Sequence, residues 1–395
     1  MRVPLLDLSE QYRQVTPAIR KRIDEILASQ RFILGPNVER FEQAICEFTG
    51  AAHAIGVSSG TDALLALLMA LEISPGDAVI TSAYSFFGTA GCIVRVGATP
   101  IFVDVDPTTY NISPAALKQV LEKECERKDG ALVTKKNGAV VRAIVPVHLF
   151  GLCCEMNEIQ SMAEEYQLAV IEDAAQAIGA EYPFRSGTRQ AGTMGEAGFF
   201  SFYPSKNLGA AGDAGMIVCR EAEFAKQVRI YRERGMEPRY YHHVVGGNFR
   251  LDEIQAAILD VKLAYRAGWS AARRDAADRY GEEFKSAGLQ KTIALPAEPY
   301  RNRRLTNHHI YHQYVIRTPK RDALREHLAK RDIGTAIYYP LGLHEQACFA
   351  GLGHKSADFP ETARAARETL ALPMYPELSP EAQRYVVEAI AEFFS

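Results

Sequence analysis

The chain has 395 residues, 47% of them apolar and 24% charged, with a formal net charge of −3. This is the balance of an ordinary soluble globular protein, long enough for a large domain and a smaller one. The charge gives no reason to expect nucleic acid or an acidic membrane surface as a partner, and without a run of 18 apolar residues no membrane span is expected.

The opening MRVPLLDLSEQYRQ has an early Arg but no apolar h-region, so no signal peptide is expected. The first ten residues read as extended. Residues 15–29 read as an amphipathic helix, followed by a loop at Gly35-Pro36. A helix over 37–49 places Val38, Phe41, Ile45 and Phe48 at helical spacing. A short strand at 54–57 leads into Ser58-Ser59-Gly60-Thr61-Asp62 and then the apolar helix ALLALLMALEI. A Ser-Gly-Thr turn at a strand-to-helix junction is an anion site, because free N–H groups, hydroxyls and the positive helix end point the same way. It is equally a plain N-cap by Thr61 or Asp62.

Strands are predicted at 78–81, 99–104, 143–147 and 169–171, alternating with helices at 87–96, 114–123 and 156–166. This alternation implies a mainly parallel sheet with helices on both faces. The seven cysteines are scattered, and Cys153-Cys154 is not a CxxC pair. They read as reduced cytoplasmic thiols, with no zinc or disulfide framework. Residues 128–137 read as a charged, flexible excursion. A strand at 216–219 and a helix at 221–233 follow, and Gly246-Gly247 breaks the chain. A long helix at 251–265 is taken as the hinge between a large domain, 1–250, and a small one, 251–395. The small domain reads as helices at 271–285 and 321–331, strands at 312–317 and 335–338, a rigid turn at Leu372-Pro373-Met374-Tyr375-Pro376 and a last helix at 380–394.

The stretch FFSFYPSKNLGAAGDAG, residues 199–215, carries the central candidate, Lys206. A strand that runs into a Pro-bearing loop presents its last side chains at the edge of a sheet, where ligands of open α/β sheets bind. A partly desolvated lysine there has a lowered pKa and suits Schiff-base chemistry. Taken alone, it is also what a surface lysine looks like. Asp173 ends the strand VIED, and Glu172 should face the other way. Metal binding at Asp173 is weakly supported, because no His or second carboxylate sits at ligand spacing. Gln176 lies near Asp173 if a helix starts there. Phe86 suits stacking on a flat ring, or ordinary core. Together these match the parts of pyridoxal phosphate: Ser59, Gly60, Thr61 and Ser201 for the phosphate, Phe86 for the ring face, Asp173 for the pyridine nitrogen, Gln176 for the ring hydroxyl and Lys206 for the aldehyde. No G-x-G-x-x-G or P-loop pattern supports a plain nucleotide-binding protein.

GVSSGTDALLALLMAL, VIEDAAQAIGA and SFYPSKNLGAAGDAG resemble the signatures of the DegT/DnrJ/EryC1/StrS sugar aminotransferases. The likeness continues through YYHHVVGGNFRLDEIQAAIL, IYYPLGLHEQ and LALPMYPELS, over essentially the whole chain. The resemblance implies a fold-type-I aminotransferase-like α/β fold: a mainly parallel mixed sheet sandwiched by helices, plus a smaller C-terminal α+β domain. It implies that Lys206 forms the internal aldimine and serves as general base and acid. It implies that Asp173 holds the pyridinium, Gln176 the ring hydroxyl, and Gly60, Thr61 and Ser201 the phosphate. It further implies a cytoplasmic homodimer with shared active sites. Asn248 would reach the neighbouring subunit's cofactor phosphate, and Arg250 the neighbouring substrate. Tyr338, Tyr339 and His344 fall where relatives contact the nucleotide-sugar. Two positions depart from the pattern: Ala214 in Gly212-Asp213-Ala214-Gly215, and Ser82 where a Pro is usual. Lys206 argues against the dehydratase branch, which carries His there. The implied reaction is a ping-pong transfer of an amino group from glutamate, leaving 2-oxoglutarate, to a UDP- or dTDP-linked 3-keto hexose. A 3-keto N-acetylhexosamine for lipopolysaccharide or another surface glycan is one candidate. The alternatives are a 4-keto substrate and a non-catalytic regulator.

Overall fold

In the computed structural model, which describes residues 1–185 and 187–395, nine strands form the central sheet. In chain order the strands are β1 (His53–Val57), β2 (Asp77–Ser82), β3 (Thr99–Val103), β4 (Cys125–Lys128), β5 (Ala131–Thr134), β6 (Val140–Val145), β7 (Ala169–Asp173), β8 (Glu181–Tyr182), β9 (Arg189–Gln190), β10 (Ala197–Ser201) and β11 (Gly215–Cys219). The order across the sheet is β1-β11-β10-β7-β6-β2-β3, with the β4–β5 hairpin joined to β6, while β8 and β9 pair with each other. Strands β10, β7, β6, β2 and β3 run parallel, and β11 runs against both of its neighbours. This is the mainly parallel, mixed sheet expected from the alternating pattern.

Period-2 alternation divides the side chains between two faces. Ala78 and Ile80 of β2 join one core, and Val79 joins the other. The first core is covered by helices Pro36–Thr49, Pro114–Lys123, Met156–Tyr166 and Glu253–Leu263. The second is covered by Gly60–Ala70, Gly88–Arg95 and Ala222–Arg232. Helix Gly60–Ala70 is buried on nearly all sides, with Leu64, Leu67 and Leu68 at 0–1% exposure. Each such leucine contributes about 2 kcal/mol, so the turn at its N-terminus is anchored in the core.

A third core joins β12 (Tyr314–Arg317), β13 (Thr369–Leu372) and helices Arg266–Ser286, Arg321–Ala329 and Pro380–Phe394. The cores do not divide at one chain position. Helix Glu253–Leu263 buries Ala256 and Leu259 in the first core, and Val3 from the opposite end of the chain packs in the third.

Two readings of the sequence need correction. Residues 128–137 are not an irregular excursion: they contain the turn and second strand of the β4–β5 hairpin. Asp129 and Gly130 both have positive φ, 51° and 83°, as a two-residue hairpin turn requires. Residues 335–338 are not a strand. Ala336 makes an isolated bridge to Ala371, and the strand that pairs with β12 is β13, partly hidden in sequence by the proline-rich turn after it. The two departures in sequence are absorbed locally. Ala214 lies outside the positive-φ residues and is buried. Ser82 Oγ accepts a hydrogen bond from the Tyr84 N–H (3.2 Å) and donates to its carbonyl (3.1 Å), holding the turn.

Candidate active site

The parallel strands deliver their C-terminal ends to one edge of the sheet, and the candidate residues gather there. Ser59, Gly60, Thr61, Phe86, Asp173, Gln176, Ser201, Lys206, Tyr338 and Tyr339 line one cavity of about 560 Å³.

Ser59 caps helix Gly60–Ala70: its Oγ accepts the Asp62 N–H at 3.0 Å. The cap is therefore neither Thr61 nor Asp62, and Thr61 is left facing the cavity. The first backbone bond of the helix is Ala63 N–H to the Ser59 carbonyl, so the N–H groups of Gly60 and Thr61 precede the helical ladder. A Cβ on Gly60 would stand 2.8 Å from the Ser201 Cβ and 3.3 Å from its Oγ. Only glycine leaves this cradle of N–H groups and hydroxyls open, and its donor set suits a phosphate.

Asp173 is buried at the end of β7. Its Oδ2 accepts from Thr89 Oγ1 at 2.7 Å, and its Oδ1 from the Ala175 N–H at 3.1 Å. Burial raises its pKa, and these two donors and the Lys206 charge oppose that rise. Burial pushes the Lys206 ammonium down to about 8, and the carboxylate of Asp173 resists the change. The two groups therefore sense each other's charge inside one cavity. Phe86 is 58% exposed, which excludes the ordinary-core reading. Its ring stands 6.3 Å from that of Tyr339.

Glu172 faces away, as the alternation requires. It accepts from the N–H groups of Gly192, Met194 and Gly195 and pairs with His148 Nε2 at 2.8 Å. His148 Nδ1 accepts the Cys154 N–H at 3.0 Å, so the ring hydrogen sits on Nε2, toward the carboxylate. The segment after Asp173 is a chain of turns, not a helix. Gln176 still reaches the cavity: its Oε1 accepts the Phe150 N–H at 2.7 Å and its Nε2 donates to Tyr339 Oη at 3.0 Å.

Three predicted residues lie outside this cavity. Asn248 and Arg250 form isolated backbone bridges to Glu233 and Val57. His344 is buried, with its ring 4.4 Å from that of Phe359. Among the lining residues that escaped the sequence reading are Ser85, Thr89, His312 and Gln313. Thr89 sits three residues after Phe86, a spacing that would have suggested it. Nothing local marks His312 and Gln313, which the segment leading into β12 brings in.

Residues 14–391 match the sequence profile described as the DegT/DnrJ/EryC1/StrS aminotransferase family. The chain is 46% identical to a "Pleiotropic regulatory protein" of Geobacillus stearothermophilus, over 100% of this chain and 99% of the relative. It is 39% identical to the UDP-N-acetyl-3-dehydro-alpha-D-glucosamine 3-aminotransferase of Acidithiobacillus ferrooxidans, over 96% of this chain and 94% of the relative. The solved structure of NtdA from Bacillus subtilis, with bound cofactor PMP, superposes with a TM-score of 0.85 at 27% identity, over 99% of this chain and 85% of that one.

Proposed function

The chain belongs to the DegT/DnrJ/EryC1/StrS aminotransferase family, and on that premise we propose that it aminates the 3-keto carbon of a UDP-linked N-acetylhexosamine with glutamate as donor. It is a pyridoxal-phosphate-dependent nucleotide-sugar aminotransferase. The observation that carries the mechanism is the meeting of Lys206, its ammonium pushed down to about 8, with Asp173 and the Gly60 cradle in one cavity. The likeness to the 3-aminotransferase supports the sugar and the position.

Each residue then has a role. The N–H groups of Gly60 and Thr61 and the hydroxyls of Thr61 and Ser201 would hold the phosphate. Phe86 would cover one face of the ring, and Gln176 would meet its hydroxyl. Asp173, oriented by Thr89 and Ala175, would keep a proton on the pyridine nitrogen. When bound, the cofactor supplies an electron sink for the donor's α-carbon. Lys206 anchors the cofactor, and once released it carries the proton from the donor's α-carbon as base and returns it as acid. Tyr338 and Tyr339 form the wall toward the sugar.

Asn248 and Arg250 are assigned to the cavity of a second copy, which is why they stand outside their own. On the same stretch of chain Tyr240, Tyr241 and Val245 are exposed at 74%, 67% and 88% and would offer that copy apolar contacts. The regulatory name of one relative does not displace catalysis here, since a binding protein needs no lysine in reach of an aldehyde.

The test is an absorbance spectrum followed by a substrate panel. The purified protein should show a visible band that moves to the near-ultraviolet with glutamate. The amino group should then pass to UDP-3-keto-N-acetylglucosamine in preference to its 4-keto isomer and to dTDP-linked 3-keto hexoses. Transfer only to the 4-keto isomer would overturn the position, and transfer only to dTDP-sugars would overturn the nucleotide. Gly60→Ala forces Ser201 or the helix to shift. An overpacked contact of this kind costs about 1–3 kcal/mol, so titration of the apo protein with pyridoxal phosphate should show affinity weakened by about 10- to 100-fold. Unchanged affinity would remove the cradle from the phosphate site.

A further inference from the structure

Among the described residues, two buried polar atoms on the cavity wall lack a hydrogen-bond partner: the hydroxyl Oγ of Ser85 and the amide oxygen Oε1 of Gln313. An unpaired buried donor or acceptor is costly, and folded proteins keep few of them. Neither atom has a part in the roles assigned above. Both residues line the cavity together with Tyr338 and Tyr339. Tyr84, just before Ser85, donates from Oη to the Tyr338 carbonyl (2.6 Å) and accepts the Tyr339 N–H (2.7 Å). The amide of Gln313 lies beside the Tyr338 hydroxyl. The strand entry that carries Gln313 is also tied to the lysine loop. His312 Nδ1 meets Asn207 Oδ1 at 3.1 Å, and Asn207 directly follows Lys206.

The unpaired set is thus one acceptor and one hydroxyl, on the wall of the cavity that also holds Lys206. A secondary amide needs this set, an acceptor for its N–H and a donor for its carbonyl. Resting on the reading that the substrate is a 3-keto N-acetylhexosamine, we infer that Gln313 and Ser85 recognise the 2-acetamido group of the sugar. Gln313 Oε1 accepts the acetamido N–H, and Ser85 Oγ donates to its carbonyl. The uracil ring offers a similar edge, but it is separated from the keto carbon by a ribose and a pyrophosphate. The acetamido group sits on the neighbouring carbon, which places it next to Lys206 with the ketone. Gln313 and Ser85 are specificity residues in this assignment, because they touch the substrate and not the atoms that react.

The experiment compares kcat/KM for UDP-3-keto-N-acetylglucosamine and UDP-3-keto-glucose in the wild type, Ser85→Ala, Gln313→Leu and Gln313→Glu. A site built to bind a polar group rejects the analogue that lacks it. The wild type should therefore prefer the acetamido sugar, and Gln313→Leu and Ser85→Ala should each cut that preference by on the order of tenfold. Gln313→Glu has nearly the same shape and keeps an acceptor, so it should retain more of the preference than Gln313→Leu. Calorimetric binding of the two aminated products, and of UDP alone, supplies a readout independent of turnover. The variants should lose affinity for the acetamido product and not for UDP. Equal losses on both sugars, or weakened binding of UDP itself, would overturn the assignment while leaving the function intact. If the wild type transfers no amino group to the acetamido sugar but aminates another nucleotide keto-sugar, the functional reading falls and this assignment falls with it.

Discussion

Lys206→Ala should lower turnover by roughly 10,000-fold or more, because one side chain is both the covalent anchor and the proton carrier. The variant should still bind pyridoxal phosphate through the Gly60 and Ser201 cradle, but it should lose the visible band of a protonated lysine adduct. A small primary amine added to the medium should restore a fraction of the proton transfer, since the cavity keeps its shape. A variant that retains more than about one part in a hundred of wild-type turnover would remove Lys206 from the centre of the mechanism. The pH dependence follows from the same residue. Burial holds the ammonium of Lys206 at about 8. The neutral amine is the nucleophile, so capture of pyridoxal phosphate by the apo protein should accelerate as pH rises through about 8, and not through the range of an ordinary lysine near 10.4. Stopped-flow absorbance at several pH values measures this directly.

Asp173→Asn should lower kcat by about 100- to 1,000-fold, the usual cost of removing a preorganised charge from a buried site. The substitution keeps the shape and an acceptor for Thr89 Oγ1, so the loss reports the charge. Two further effects separate an electrostatic role from a packing role. Asp173 is the charge that resists the depression of the Lys206 pKa. With the carboxylate gone, the pH profile for cofactor capture should move to lower pH. Thr89→Val, which removes the 2.7 Å hydrogen bond and leaves the charge, should cost only about tenfold. An Asp173→Asn enzyme within about threefold of wild type, with an unmoved profile, would show that the carboxylate has no part in the reaction.

Much of the site was legible because its pieces are local. A Ser-Gly-Thr turn before an apolar helix, a carboxylate ending an apolar strand and a lysine after a Pro-bearing loop each state a chemistry within a few residues. Parallel topology then brings strand ends to one edge without further information. Glu172 and Asp173 could be assigned to opposite faces because a strand alternates strictly. No helix starts after Asp173: those residues are spent on turns that carry Gln176 to Phe150 and Tyr339. The β4–β5 hairpin was legible in Asp129-Gly130, but the surrounding lysines and glutamates masked it.

What the sequence determined by itself was the class of chemistry and the layered sheet, since both rest on short-range patterns: periodicity, turn residues and the order of three motifs. Only the tertiary structure decided which side chains close the cavity. His312 and Gln313, like the Tyr338 and Tyr339 that the family resemblance already implied, come from a part of the chain more than 100 residues beyond Lys206. They reach it because β12 and β13 pack, through Val315 and Ala371, against Tyr84, Val147 and Phe150. Their placement depends on contacts between distant segments, and no local spacing encodes those. The same holds for burial. Lys206 reads as one solvated lysine among many until the fold removes water around it, and that desolvation is what lowers its pKa and makes it a nucleophile.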